Sequence, residues 1–104
     1  MIPTDHIQVV TFQLAGLDLG AYRAHCEASA PAFTEIPGLR EKAWLANPST
    51  NTYGGVYAWE SRDAMKAYLS GPIFGALLAN PEMVHVTTRD FSVLERPTEI
   101  TRQR

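Results

Sequence analysis

The chain has 104 residues, with nine basic and eleven acidic side chains and a formal net charge of -2. This length suits one domain, and a near-neutral charge without a basic stripe argues against a nucleic-acid partner. The single cysteine, Cys26, excludes an internal disulfide framework. No apolar run approaches the roughly 20 residues that span a bilayer, and the first residues lack the features of a signal peptide. We therefore expect a cytoplasmic protein without a membrane partner.

The N-terminal third predicts a strand and then an amphipathic helix. Residues His6 to Leu14 are rich in β-branched and aromatic side chains, which predicts the first strand. Asp18 can cap a following helix, whose apolar positions recur at spacings of three and four. Pro31 lies inside that stripe and lacks a backbone donor, so we expect a kink or break between Glu27 and Pro31.

Two strands joined by a polar turn come next. Leu39 to Ala46 predicts the second strand, and strict alternation along it places Leu39 on the face opposite Trp44. Tyr53 to Glu60 predicts the third strand. Its pair Gly54-Gly55 suggests a bulge, or a place where another backbone or a ligand comes close.

A capped helix and a fourth strand complete the pattern. Ser61 is a good N-cap, and the helix after it is interrupted at Gly71-Pro72 and restarts briefly. Met83 to Leu94 predicts the fourth strand, on which alternation places Val84 away from His85. The polar residues 95–104 predict a C-terminal tail or arm, so a single domain spans residues 1–94.

The element order β-α-β-β-α-β predicts an α+β fold of the ferredoxin-like type, with a four-stranded antiparallel sheet and two helices on one face. The other face would keep a large apolar and aromatic share, which needs a cover. The simplest cover is a second copy packed face to face, so we expect a homodimer.

Several stretches of this chain resemble the YdhR-type monooxygenases. They are Pro37-Gly38-Leu39, Lys42, Trp44-Leu45, the run GGVYAWES from Gly54 to Ser61, Ala67-Tyr68 and Arg89-Asp90-Phe91. That family belongs to the dimeric α+β barrel superfamily, alongside the antibiotic-biosynthesis monooxygenases. The resemblance covers nearly the whole chain and implies a dimer with a pocket between sheet and helices in each subunit.

The best-understood of these relatives oxidise quinol-like aromatic molecules with molecular oxygen and need no flavin, haem or metal. The resemblance therefore implies a cofactor-independent monooxygenase for a small hydrophobic, aromatic or quinol-type substrate. Their pattern places an Asn four residues before a strand-three Trp and a Tyr six residues after it. Here Trp59 matches the Trp, whereas Gly55 and Met65 occupy the other two positions. Tyr68 lies one helical turn beyond Met65 and can serve the same pocket.

Aromatic side chains are the first candidates for substrate binding. Tyr57 and Trp59 are two residues apart on one strand, so they share a sheet face with Tyr53. They can form a stacking wall for an aromatic ligand, or they can pack in the core or in a dimer interface. Trp44 completes that wall or lies on the opposite face, depending on the strand register.

Two histidines are candidates for proton transfer. His25 lies three residues after Tyr22 on the first helix, and a histidine can act as a general base near neutral pH; alternatively, it is an exposed histidine at the edge of the apolar stripe. His85 and Arg89 are four apart on the fourth strand and can bind a carboxylate or phenolate, or pair with a sheet neighbour or partner subunit. We expect His25, Tyr68 and His85 to be catalytic, with Tyr22 and Arg89 among the substrate-binding residues.

No metal site is expected, because the three histidines are scattered without zinc-binding spacing. The resemblance implies that no cofactor is needed. Cys26 lies on the apolar stripe and is expected to be a buried, inert thiol. The alternative to an enzyme is a non-catalytic binder of small hydrophobic molecules, or a stress-associated dimer, since Gly55 and Met65 stand where the oxygenases have polar side chains.

Overall fold

A computed structural model describes residues 4–103 of the chain. Residues 1–3 and 104, which the sequence analysis assigns to the domain and the tail, lie outside the described residues. The elements are β1 (His6–Leu14), α1 (Leu19–Phe33), β2 (Leu39–Asn47), β3 (Thr52–Trp59), α2 (Arg62–Leu69), α3 (Pro72–Ala79), β4 (Met83–Ser92) and α4 (Glu95–Thr101). All strand pairs are antiparallel, in the sheet order β2-β3-β1-β4. The predicted α+β fold of ferredoxin-like type is confirmed.

The helices cover one face of the sheet, and the aromatic side chains gather there. Alternate residues of β1 are buried on this covered face: His6, Gln8, Val10, Phe12 and Leu14. The open face mixes polar and aliphatic side chains, with Ile7, Val9 and Val56 half-buried on the two central strands. Phe91 is the aromatic exception, since it pairs with Ile7 and is 55% exposed. The expectation of a large aromatic share on the open face is therefore wrong.

Side-chain caps begin α1 and α2, as predicted. The Ala21 N–H donates to Asp18 Oδ1 at 2.8 Å, and the Ala64 N–H donates to Ser61 Oγ at 3.1 Å. Of the kink or break predicted between Glu27 and Pro31, the break does not occur, because α1 continues to Phe33; a kink there stays a prediction. Pro31 lies in the last turn, where its missing donor affects only the end of the helix.

A bulge near the start of β2 changes the faces predicted for that strand. The register shifts between Leu39 and Glu41, so that Leu39 lies opposite Trp59 while Lys42 lies opposite Tyr57. One extra residue reverses the face on which all later side chains lie. Leu39 therefore shares the covered face with Lys42, contrary to strict alternation.

A second irregularity lies where β4 pairs with β1. His85 adopts the left-handed backbone conformation with φ 57°, and the register shifts between Thr11 and Gln13. As a result Val84 lies opposite Gln13 on the open face, which is also the face of His85. Strict alternation had predicted that these two side chains lie on opposite faces. The Nδ1–H of His85 donates a hydrogen bond to Gln13 Oε1 at 2.6 Å, which keeps the histidine on this open face.

Gly54 marks the predicted close approach of two backbones. Its φ is +147°, and a Cβ atom built there would lie 1.9 Å from the carbonyl oxygen of Val10 in β1. Only glycine fits this position, so the prediction made from the glycine pair is confirmed at Gly54.

The segment predicted as a tail or arm contains α4. Its neighbouring side chain Leu94 and its own Ile100 are 73% and 72% exposed, so this helix is loosely packed against the sheet. Its role as an arm stays a prediction. Among the described residues, no helix combines the length and the apolar character needed to cross a membrane.

Candidate functional site

A cavity of about 390 Å³ lies between the covered face of the sheet, α1 and α3. This volume falls within the range of small-molecule sites, which are mostly apolar with a few polar groups. The rings that line the cavity are Phe12, Tyr22, Phe33, Trp44, Tyr57 and Tyr68. The charged or titratable side chains among its other lining residues are His25, Cys26 and Lys42.

The cavity exists because α1 contacts the sheet through large rings at its two ends. Near its start, the Tyr22 ring packs edge-on against Tyr53 with centroids 4.9 Å apart. At its end, the Phe33 ring packs edge-on against Trp44 at 5.0 Å. Between these contacts the helix presents mainly small side chains to the interior, among them Cys26 and Ser29. The space that these small side chains leave is the cavity.

Two tyrosine hydroxyls meet in the cavity wall. Tyr57 Oη lies 3.0 Å from Tyr68 Oη, and the ring centroids are 5.3 Å apart. Burial raises the pKa of both phenols, so both stay protonated at neutral pH. The pair has two O–H donors, and the hydrogen bond between the hydroxyls uses one of them. The other O–H can donate a hydrogen bond to a ligand oxygen.

Trp59 lies behind Tyr57 and is sealed from the cavity. It is 0% exposed, and its ring is parallel to that of Tyr57 at 6.0 Å. The indole N–H donates to Gln8 Oε1 at 2.9 Å, and Gln8 Nε2 donates to Thr88 Oγ1 at 2.9 Å. Trp59 therefore positions Tyr57, whereas the predicted stacking of a ligand on Trp59 is excluded by its burial. Trp44 does line the cavity, which settles the register question left open by the sequence.

The predicted catalytic and binding residues divide between the two faces of the sheet. His25 and Tyr68 line the cavity, as does the predicted binding residue Tyr22. Arg89 lies on the open face, because it pairs with Val9, whose side chain points away from the helices. His85 lies on the same face, where its Nδ1 contacts Gln13 Oε1. A role for His85 or Arg89 in this cavity is therefore excluded by their position, and both side chains are exposed.

Lys42 lines the cavity, although the sequence analysis named it only for the family resemblance and not as a site residue. Its Nζ atom lies 3.4 Å from the ring centroid of Trp44, 3.8 Å from that of Phe33 and 4.8 Å from that of Tyr57. Burial lowers the pKa of the amine to about 7. A signal was present in the sequence, since Lys42 is two residues from Trp44 on a strand and so shares its face.

Gly55 makes room for this lysine. A Cβ atom at Gly55 would lie 2.7 Å from Lys42 Cε and 3.3 Å from Tyr57 Cε1. The absence of a side chain on β3 thus lets the Lys42 stem cross the neighbouring strand and places its amine among the rings.

Cys26 is half-buried and lines the cavity, so the prediction that its thiol is buried is wrong. Within residues 4–103, no cluster of His, Cys, Asp and Glu is large enough to suggest a metal site.

Comparisons with solved structures establish the fold independently. A protein of unknown function from Nitrosomonas europaea is 20% identical with a TM-score of 0.73, over 88% of this chain and 90% of that one. The heme-degrader MhuD from Mycobacterium tuberculosis, with two hemes bound in its active site, is 23% identical with a TM-score of 0.65, over 86% and 95% of the chains. SnoaB, a cofactor-independent oxygenase from Streptomyces nogalater, is 18% identical with a TM-score of 0.65, over 86% and 94%.

Comparison at the level of sequence gives a family. No curated protein matches the chain significantly. Residues 7–104 match the family described as "Putative mono-oxygenase ydhR", which is almost the whole chain. The chain belongs to the ydhR mono-oxygenase family.

Proposed function

We propose that the protein is a cofactor-independent monooxygenase for a small aromatic molecule of the phenol or quinol type. The observation that carries this proposal is the ring-lined cavity of about 390 Å³ with the Tyr57–Tyr68 hydroxyl pair in its wall. Membership of a mono-oxygenase family supports it. So does the shared fold of SnoaB, which is described as a cofactor-independent oxygenase.

The chemistry needs no external reductant. Deprotonation of a phenol or enol makes its ring electron-rich enough to reduce oxygen directly. An anthrone, or the keto tautomer of a quinol, carries a ring methylene. Its oxidation balances as CH2 plus O2 giving C=O plus H2O, with all electrons supplied by the substrate. The protein contributes by excluding water, holding the ring against Trp44 and Phe33, and donating a hydrogen bond from the tyrosine pair to the oxygen that carries charge.

We also propose that the protein works as a homodimer in which a second copy covers the open face. The half-buried Val9 and Val56 on the central strands and the exposed Phe91 support this arrangement, because a contiguous apolar face is typical of an interface. Sedimentation equilibrium tests it, with Val9→Glu as the disrupting variant. A monomeric parent protein would contradict the proposal.

Oxygen consumption with a panel of anthrones and naphthohydroquinones tests the activity. We expect uptake above the rate in buffer and one labelled atom in the product when ¹⁸O₂ is supplied. Tyr68→Phe removes half of the hydroxyl pair, so we expect turnover to fall by about 100-fold, as for loss of one oxyanion donor. Lys66→Met, on the exposed side of α2, is the matched control. No uptake by folded protein with any member of the panel would contradict the proposal.

A non-catalytic binder is the second candidate, and the position of His85 favours it. That histidine, predicted to take a proton, lies on the opposite face of the sheet from the cavity. The same panel separates the two functions. A binder would quench the fluorescence of Trp44 on adding each phenol and would leave the oxygen concentration unchanged.

A further inference from the structure

Lys42 places its amine in a cavity whose described lining residues include no carboxylate. Its amine is surrounded by the faces of three rings, from Phe33, Trp44 and Tyr57, at 3.4 to 4.8 Å. No Asp or Glu lines the cavity, and the ion pairs found among residues 4–103 join other residues. Ring faces attract a cation but do not replace an anion, and a buried charge is costly unless it is paired.

The titratable groups that face Lys42 come from three elements. On α1 they are Tyr22, His25 and Cys26, on β3 Tyr57, and on α2 Tyr68. Burial raises the pKa of the three tyrosines, so none of them supplies a negative charge at neutral pH. Cys26 is the lining group whose charge opposes the effect of burial on the Lys42 pKa, and burial prevails. An anionic ligand can therefore supply the counter-ion that the cavity lining lacks.

We propose that Lys42 accepts the proton of a phenol or enol bound in the cavity and then remains as the counter-ion of the resulting oxyanion. The substrate O–H bond breaks, an N–H bond forms on the amine, and no atom is oxidised or reduced in this step. The Tyr57–Tyr68 pair donates the second hydrogen bond to the same oxygen. The later reaction of the oxyanion with oxygen rests on the proposed function, but the proton transfer itself occurs with any phenol that fits.

The lowered pKa of the amine supports this role. A lysine whose pKa is about 7 is partly neutral at neutral pH and can take a proton, whereas an ordinary lysine cannot. Binding of an anion would raise that pKa again, because the opposite charge favours the ammonium form. The bound pair would therefore be an ammonium and a phenolate.

Binding of 4-nitrophenol tests the proposal, because its phenolate has a visible absorption band that its phenol form lacks. With the parent protein we expect a spectrophotometric titration to show a lowered apparent pKa for the bound probe. We expect Lys42→Met to bind the phenolate about tenfold more weakly, the smallest effect of an opposite charge in contact. Lys66→Met should match the parent, since it removes the only other lysine from an exposed site. Equal phenolate affinity of the parent and Lys42→Met, or no binding by the folded parent, would overturn the proposal.

A second measurement uses the parent protein and so does not depend on the folding of a variant. The chain has two lysines, so ¹³C-lysine labelling gives two Cε signals that the Lys66→Met spectrum assigns. We expect the Lys42 signal to titrate near pH 7 in the free protein and at higher pH with 4-nitrophenol. A Lys42 titration that the probe leaves unchanged would overturn the proposal. Since the probe is not consumed, absence of oxygen uptake with quinols would count against the monooxygenase and not against this role of Lys42.

Discussion

Replacing Lys42 by Met should make the folded protein more stable at neutral pH. Methionine keeps the length of the apolar stem and removes an amine that is buried among rings without a carboxylate partner. Exchanging such a charge for an apolar side chain of similar volume is often stabilising. The effect should depend on pH, because the cost of burying the ammonium is complete at low pH and is relieved as the folded protein releases that proton above pH 7.

The size of this pH dependence follows from the Lys42 pKa of about 7 in the folded protein and the ordinary lysine pKa of 10.5 in the unfolded chain. Between pH 7 and pH 10.5 the Lys42 amine is protonated in the unfolded chain and mainly neutral in the folded protein. Stability of the parent therefore rises with pH, at up to about 1.4 kcal/mol per pH unit. Integrated from pH 7 to 9, the gain is about 2 kcal/mol. Below pH 7 both states are protonated, and the cost is constant.

Urea unfolding of the parent and Lys42→Met at fixed protein concentration, from pH 6 to 9, measures the difference directly. Other titrating groups are common to both proteins and cancel in the comparison. We expect the stability advantage of Lys42→Met to be largest at pH 6 and to shrink by about 2 kcal/mol by pH 9. Parallel stability curves would refute the reasoning, because they would mean that the Lys42 amine keeps its ordinary pKa on folding.

Three further predictions test the fold and the boundary of the site. Gly54→Ala should lower the free energy of unfolding by about 3 kcal/mol or more, because its Cβ would clash with β1; a urea midpoint near that of the parent would contradict this. Trp59→Phe should cost about 3 kcal/mol by leaving a void and an unpaired Gln8 Oε1, measured by thermal melting. Combined His85→Ala and Arg89→Ala should leave 4-nitrophenol affinity unchanged, since both residues lie on the open face.

The sequence predicts the elements well because their signals are local. Asp18 and Ser61 act as caps through hydrogen bonds to residues three positions later, and both caps form. The glycine pair predicts a close approach, which Gly54 makes. The helix does not break at Pro31, because a proline in the last turn removes only a terminal hydrogen bond. Phe33 also anchors that turn against the sheet.

Which side chains meet in the site is harder to predict, because it depends on register across strands. A bulge near Leu39 and the left-handed backbone at His85 each change a face, and neither leaves a clear local signal. Tryptophan is a residue type that often binds ligands. The indole N–H of Trp59 nevertheless donates its hydrogen bond to Gln8, a residue 51 positions away in the chain. Only the tertiary fold brings such partners together.

The same long-range packing explains why the sequence analysis did not predict Lys42 as a site residue. A lysine on a strand is usually solvated, and its burial here depends on the missing side chain of Gly55 on the neighbouring strand and on Phe33 from α1. Burial of the Lys42 amine destabilises the protein without ligand. Binding of an anion in the cavity would offset this loss of folding free energy. Ligand binding and folding are therefore linked through one amine. A phenolate should raise the melting temperature of the parent protein more than that of Lys42→Met, a difference that a purely apolar cavity would not produce.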